Sequence, residues 1–144
     1  MKKIRELFIK YEEVIRYLII GVLTTMVSLL TYYVLTFTIF NSNNTLELQI
    51  TNIISWIISV TFAYFTNRKY VFKLKEKKSI KEVIKFYLSR LATLFIDMLL
   101  MQIFVIRLKL NDKIIKLIVQ FIVIVLNYIF SKFLVFKSKV KKSE

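Results

Sequence analysis

The 144-residue chain contains no cysteine, no histidine and no proline, and it has one glycine, Gly21. Without cysteine there are no disulfides, thiolate metal sites or cysteine nucleophiles. Without histidine the commonest general base and metal ligand is also gone. Histidine-dependent hydrolysis and zinc chemistry are thereby excluded, and no metal or cofactor is expected. Acidic residues are sparse too, nine Asp and Glu against 23 Lys and Arg. What is plentiful is hydrocarbon: 57% of the residues are hydrophobic and 15% aromatic. A soluble domain of this size buries only about two-thirds of the surface its unfolded chain exposes, too little to hide such a composition from water. The solvent that fits is lipid.

A helix needs about 20 consecutive apolar residues to cross ~30 Å of hydrocarbon. Four runs qualify, over residues 17–40, 48–66, 86–106 and 114–130. Membrane strands alternate in polarity over about ten residues, whereas residues 18–35 and 114–126 show no period-2 alternation. The expected fold class is therefore an all-α integral membrane protein, one domain over residues 1–144 with four transmembrane helices. The formal charge of +14 would suit nucleic acid or anionic lipid as partner. Because it is concentrated between and outside the apolar runs, anionic lipid is expected and nucleic acid is not.

Basic residues are distributed unevenly between the two sides. Five Lys and Arg precede the first run, eight lie from Arg68 to Lys85 and five from Lys132 onward, including a basic tail over 137–144. The alternate loops and their edges carry four: Arg107, Lys109, Lys113 and Lys116. Eighteen against four places both termini in the cytoplasm by the positive-inside rule. The start does not read as a cleaved signal, since its basic region extends to Arg16 and the apolar stretch that follows is too long for one. Ile4, Leu7, Phe8, Tyr11, Val14 and Ile15 share one helical face, as do Ile80, Val83, Ile84, Tyr87, Leu88 and Leu91. Each set fits either a helix lying at the interface, over residues 4–15 in the first case, or an extension of the next span.

The chain repeats itself. Tyr64, Val71, Phe72 and Lys73 recur as Tyr128, Val135, Phe136 and Lys137 at an offset of 64, and Asn67-Arg68 is matched by Ser131-Lys132. At an offset of 69, Glu13, Val14, Ile15 and Thr24 fall on Glu82, Val83, Ile84 and Thr93. The difference between the offsets is absorbed by the Asn-rich loop after residue 40. Each half holds two spans, so the halves are expected to share one orientation, as a parallel repeat of helical hairpins.

Polar residues inside the spans carry the candidate chemistry. Thr51, Ser55, Ser59, Ala63 and Asn67 recur at i+4, a pattern that lets helices pack closely in lipid. Asp97 lies near the middle of the third span, where a charged carboxylate costs on the order of 3 kcal/mol. It is expected to face the interior, protonated or partnered, but Arg90 stands seven residues away, about 10 Å along the axis, too far to pair with it. The fourth span adds Gln120, Asn127 and Ser131. Asn67, Asp97, Asn127 and Gln120, with Gln102, are read as an intramembrane polar seam able to offer hydroxyl-rich cargo donors and acceptors. Arg68, Lys69, Arg90 and Lys132 are read as cations converging on a cytoplasmic rim suited to a phosphate or pyrophosphate headgroup.

The segments RYLIIGVLTT (16–25), FAYFTNRKYVFK (62–73), KFYLSRLAT (85–93) and NYIFSKFLVFK (127–137) together resemble the GtrA-like family of small four-span membrane proteins, over nearly the whole chain. The most specific element is the pair of exits, N-R-K-x-V-F and S-K-F-x-V-F. The resemblance implies a non-enzymatic role in cell-surface polysaccharide glycosylation. The implied activity is flipping of a polyprenyl-phosphate-linked sugar, such as one carried on undecaprenyl phosphate, across the bacterial cytoplasmic membrane. A membrane glycosyltransferase is the implied partner, and teichoic-acid glycosylation suits the Lys-, Ile- and Asn-rich composition. Four helices enclose little volume, so a homo-oligomer or a lipid-facing groove is expected.

Three other readings compete. A small multidrug-type exporter should carry its carboxylate in the first span, which has none here. A membrane glycosyltransferase should carry an acidic pair, and the one adjacent pair is Glu12-Glu13, in an amphipathic stretch. A non-transporting subunit of a glycosyltransferase is compatible with every residue named so far.

Overall fold

The computed structural model describes residues 1–41 and 43–137; Ser42 and residues 138–144, which make up nearly all of the basic tail, lie outside the described residues. The chain divides into two compact units, Met1–Lys73 and Leu74–Glu144. Each is a helical hairpin. No strand occurs among the described residues, as the lack of alternation in the apolar runs implied.

The first unit opens with α1 (Lys2–Lys10), continues into α2 (Glu12–Thr38) and returns as α3 (Thr45–Thr66). At Tyr11 the backbone leaves helical geometry, with φ −107° and ψ 13°. The amphipathic stretch over 4–15 is thus divided between two helices, α1 ending at Lys10 and Val14 and Ile15 lying in α2. Hydroxyls along α2 are satisfied within the helix, as Thr24, Thr31 and Thr38 donate to the carbonyls of Ile20, Val27 and Val34 at 2.7, 2.7 and 2.6 Å. Such back-bonding lets threonine sit in a medium that offers no water. α3 starts where the Asn44 side chain accepts from the Leu46 N–H at 3.0 Å, with Glu47 in its first turn. Both features stabilise a helix N-terminus.

The second unit contains α4 (Ile80–Met101) and α5 (Asp112–Phe130). Ser79 caps α4 by accepting from the Glu82 N–H at 3.2 Å, and Asn111 caps α5 by accepting from Lys113 and Ile114 at 3.0 and 3.3 Å. The amphipathic segment from Ile80 is continuous with α4. Four helices among the described residues are long and apolar enough to cross a membrane: Glu12–Thr38, Thr45–Val71, Ile80–Arg107 and Asp112–Val135. They overlap the four apolar runs, with polar and aromatic flanks extending several of them. Leu30, Phe95 and Phe121 are 65–69% exposed, an arrangement that requires hydrocarbon around the protein.

Three of these spans end in π-helix, over Asn67–Val71, Gln102–Arg107 and Ser131–Val135. The first and third stand 64 residues apart and close alike, with the Phe72 N–H bonded to the Asn67 carbonyl and the Phe136 N–H to the Ser131 carbonyl, both at 3.0 Å. Five equivalent positions are buried in both hairpins, Thr51, Ser55, Asn67, Val71 and Phe72 in one and Ile115, Val119, Ser131, Val135 and Phe136 in the other, whereas Ser59, Val60, Ala63, Tyr64 and Arg68 are buried and their counterparts Val123, Ile124, Asn127, Tyr128 and Lys132 are half-buried. At the offset of 69, Tyr17 and Phe86 are likewise both buried. The repeat seen in the letters is thus also a repeat of backbone conformation at the exits and, in part, of burial.

Candidate headgroup site

A π turn carries one residue more per turn than an α turn, which displaces the side chains beyond it, and such turns recur at functional positions. In the first hairpin the π turn begins at Asn67, only 1% exposed, followed by Arg68, 6% exposed. The Oδ1 of Asn67 is buried without a hydrogen-bond partner among the described residues. A buried guanidinium must be met by polar groups or an anion, and Arg68 does engage other groups of the protein. Lys69 lies on the exposed side, with its Nζ 5.1 Å from the Tyr70 ring centroid. Arg68 and Lys69, expected together at the rim, therefore differ: one cation is inside the hairpin and one is outside.

The turn is held from α2. Arg16 donates to the Tyr70 carbonyl at 3.1 Å and pairs with Glu12, one helical turn earlier. The Lys73 Nζ lies 3.5 Å from the same Glu12 carboxylate. Sequence reading assigned Arg16 no such role. The signal that could have found it is the basic residue placed where α2 begins, level with the end of the antiparallel α3.

In the second hairpin Lys132 follows Ser131 at the start of the π turn. Its Nζ lies 5.7 and 5.9 Å from the Tyr128 and Phe133 ring centroids and 3.4 Å from the Tyr128 hydroxyl. The Arg90 guanidinium lies 4.9 Å from the Phe86 ring centroid, and the Phe86 ring lies 6.2 Å from that of Phe136. Both cations thus rest on aromatic faces, which favour positive charge.

Polar residues deeper in the second hairpin sort into bonded and open positions. Thr93, 2% exposed, donates to the Asn127 Oδ1 at 2.8 Å. Asp97 is paired with Lys116, whose Nζ lies 2.9 Å from each carboxylate oxygen. Of the two expectations for Asp97, protonated or partnered, the structure shows a partner, Lys116, a residue grouped by sequence with the outer-loop cations. The available signal was that Lys116 already lies inside the fourth apolar run. Gln102 and Gln120 are exposed, which corrects their placement in an interior seam. Asn127 stands seven residues beyond Gln120 on α5 and is only partly exposed; the two side chains do not share one enclosed lining.

In α3 the i+4 stripe is wholly buried, with Thr51, Ser55, Ser59, Ala63 and Asn67 each at most 5% exposed. The Thr51 and Ser59 hydroxyls donate within the helix, to Glu47 and Trp56 at 2.8 and 2.9 Å. These are the properties of a packing seam.

A family model described as the GtrA/DPMS transmembrane domain matches residues 16–136, which include both π-ended exits. The chain belongs to the GtrA/DPMS transmembrane-domain family. It is 36% identical over 129 residues to a cell wall teichoic acid glycosylation protein, GtcA, of Listeria monocytogenes, covering 88% of this chain and 86% of that one. A protein of the same name from Listeria innocua is 33% identical over 147 residues, covering 95% and 98%. An uncharacterized membrane protein, YwcD, of Bacillus subtilis is 36% identical over 124 residues, covering 84% and 94%. No solved structure matches. Family and relatives together support a multi-pass membrane protein with a role in glycosylation of cell-surface polymers.

Proposed function

We propose that this GtrA/DPMS-family chain flips a polyprenyl-phosphate-linked sugar across the bacterial cytoplasmic membrane, supplying a membrane glycosyltransferase that modifies teichoic acid or a similar surface polymer. The observation that carries this reading is the doubled exit. Each hairpin ends a membrane-spanning helix in a π turn that opens with a buried polar side chain and a cation, Asn67-Arg68 in one and Ser131-Lys132 in the other. A phosphodiester headgroup is an anion bearing hydroxyls, and cations seated at the membrane boundary suit it. In this mechanism the phosphate is held at either exit, by Arg68 in the first hairpin and by Lys132 and Arg90 in the second; Asn67 offers a partner to sugar hydroxyls in the first, Asn127 and Asp97 do so in the second, and the prenyl tail stays in lipid. No covalent step is assigned to the chain itself. Both termini lie in the cytoplasm, and the protein works as an assembly of more than one copy or through a lipid-facing groove.

The test is scrambling of polyprenyl-phosphate glucose in proteoliposomes containing this protein alone. Transport above that of empty liposomes is expected. Arg68→Ala removes a charged hydrogen bond worth about 1.5–3 kcal/mol, which corresponds to a loss of roughly 10- to 100-fold, and Asp97→Asn also reduces the rate. Arg68→Lys keeps the charge and separates loss of binding from loss of fold. Folded wild-type protein that moves no lipid sugar would overturn the reading and point to an accessory subunit of the glycosyltransferase.

A further inference from the structure

The Asp97–Lys116 pair is the feature of the second hairpin that the fold itself does not require. Mapped through the two offsets of the repeat, its counterparts in the first hairpin are Ser28 and Asn52, both uncharged. That hairpin nevertheless forms two long helices and an equivalent π exit, with the π turn's Asn67, Val71 and Phe72 buried like Ser131, Val135 and Phe136. The pair is also placed where charge is costly, since both residues lie within membrane-spanning segments, Ile80–Arg107 and Asp112–Val135. Replacing a pair of this kind by apolar residues is often neutral or stabilising, so its presence calls for a use.

Its geometry suggests one. An ammonium group has three donors. The Lys116 Nζ contacts both Asp97 oxygens at 2.9 Å, yet the Lys116 side chain is 48% exposed against 19% for Asp97. A donor is left on the open side. Gln120 follows Lys116 by one helical turn, about 6 Å away on the same face, and it is exposed. One face of the hairpin therefore carries a cation, a carboxylate and a carboxamide. A cation with an open donor suits a phosphate, and a carboxylate beside an amide suits hydroxyls. Lys116 precedes Lys132 by 16 residues, about 24 Å along the helix, so the group reaches from the middle of the span, at Asp97, toward the end of the hairpin opposite its own basic exit.

We propose that Lys116, Asp97 and Gln120 form a second headgroup site on the second hairpin, taking the phosphate and sugar hydroxyls of a polyprenyl-phosphate sugar away from that hairpin's own basic exit. The proposal rests on the flippase reading for its substrate class. Lys116 holds the phosphate there, Asp97 orients the ammonium and accepts from the sugar, and Gln120 bonds a further hydroxyl.

Two measurements test it. Labelling of Lys116 by a membrane-permeable amine-reactive ester, quantified by mass spectrometry, should fall at least threefold with farnesyl-phosphoryl glucose in the vesicles and stay unchanged with farnesol. In the scrambling assay Lys116→Gln should slow transport at least tenfold and Gln120→Leu severalfold, and the exchange Asp97→Lys with Lys116→Asp, which keeps an ion pair, should not restore the rate. Wild-type transport by the exchanged variant would show a helix clamp and overturn the site, as would unchanged labelling in the presence of the phosphoryl lipid. If the wild-type protein transports nothing but Lys116 is still protected, the second site stands and the flippase reading falls.

Discussion

Phe136 offers a measure of how firmly the second π exit is built. It is fully buried, as is Phe86, and their ring centroids are 6.2 Å apart with planes inclined by 44°. Replacing Phe136 with alanine opens roughly 100 Å³, and at about 24 cal/mol per Å³ of unfilled cavity this costs ~2.4 kcal/mol. The usual transfer contribution is discounted, because a side chain released near lipid does not go fully into water. Loss of the ring pair adds about 0.5–1.5 kcal/mol. The total expected for Phe136→Ala is therefore about 3–4 kcal/mol. Leu134→Ala, two residues earlier and 60% exposed, should cost under ~0.5 kcal/mol. Helicity followed at 222 nm during titration of detergent-solubilised protein with dodecyl sulfate measures both. Trp56, the sole tryptophan, lies in the other hairpin, which makes its emission a poor reporter of this one. Equal stability of the two variants would refute the claim that the buried aromatic pair anchors the exit. Because the Arg90 guanidinium rests on Phe86, the same substitution should also slow transport.

The Thr93–Asn127 contact should show a coupling of about 0.6–1.7 kcal/mol in a double-mutant cycle of Thr93→Val and Asn127→Ala, read by the same titration; additive losses would mean that the 2.8 Å bond contributes nothing. Since the chain has no cysteine, single cysteines report topology without background. Asn43→Cys should react with an impermeant maleimide in intact cells and Lys77→Cys only after permeabilisation, and the reverse pattern would invert the proposed orientation.

Much of the architecture was legible in the letters. The four helices follow from apolar runs that cannot be strands, and the hairpin repeat follows from Tyr64, Val71 and Phe72 recurring at Tyr128, Val135 and Phe136. The candidate site was legible only in part. That Asp97 must be either protonated or partnered is legible because burying a charged carboxylate in lipid is costly wherever the helix faces. That the partner is Lys116 depends on how α4 and α5 are rotated and slid against each other. The exposure of Gln120 depends on the same rotation: it follows Val119, 1% exposed, by one residue, or 100° around the helix.

Sequence by itself determined the medium, the number of crossings, the doubled hairpin and the family, because hydropathy and repetition are properties of the chain read one segment at a time. Tertiary structure decided which cation meets Asp97, that Arg68 is buried while Lys69 is exposed, and that the amphipathic start breaks at Tyr11. It also decided that both exits are π turns, each of which rotates the side chains beyond it relative to an uninterrupted α-helix. Those outcomes turn on helix rotation, register and one extra residue per turn, and an apolar run in lipid leaves all three open until a neighbouring helix packs against it.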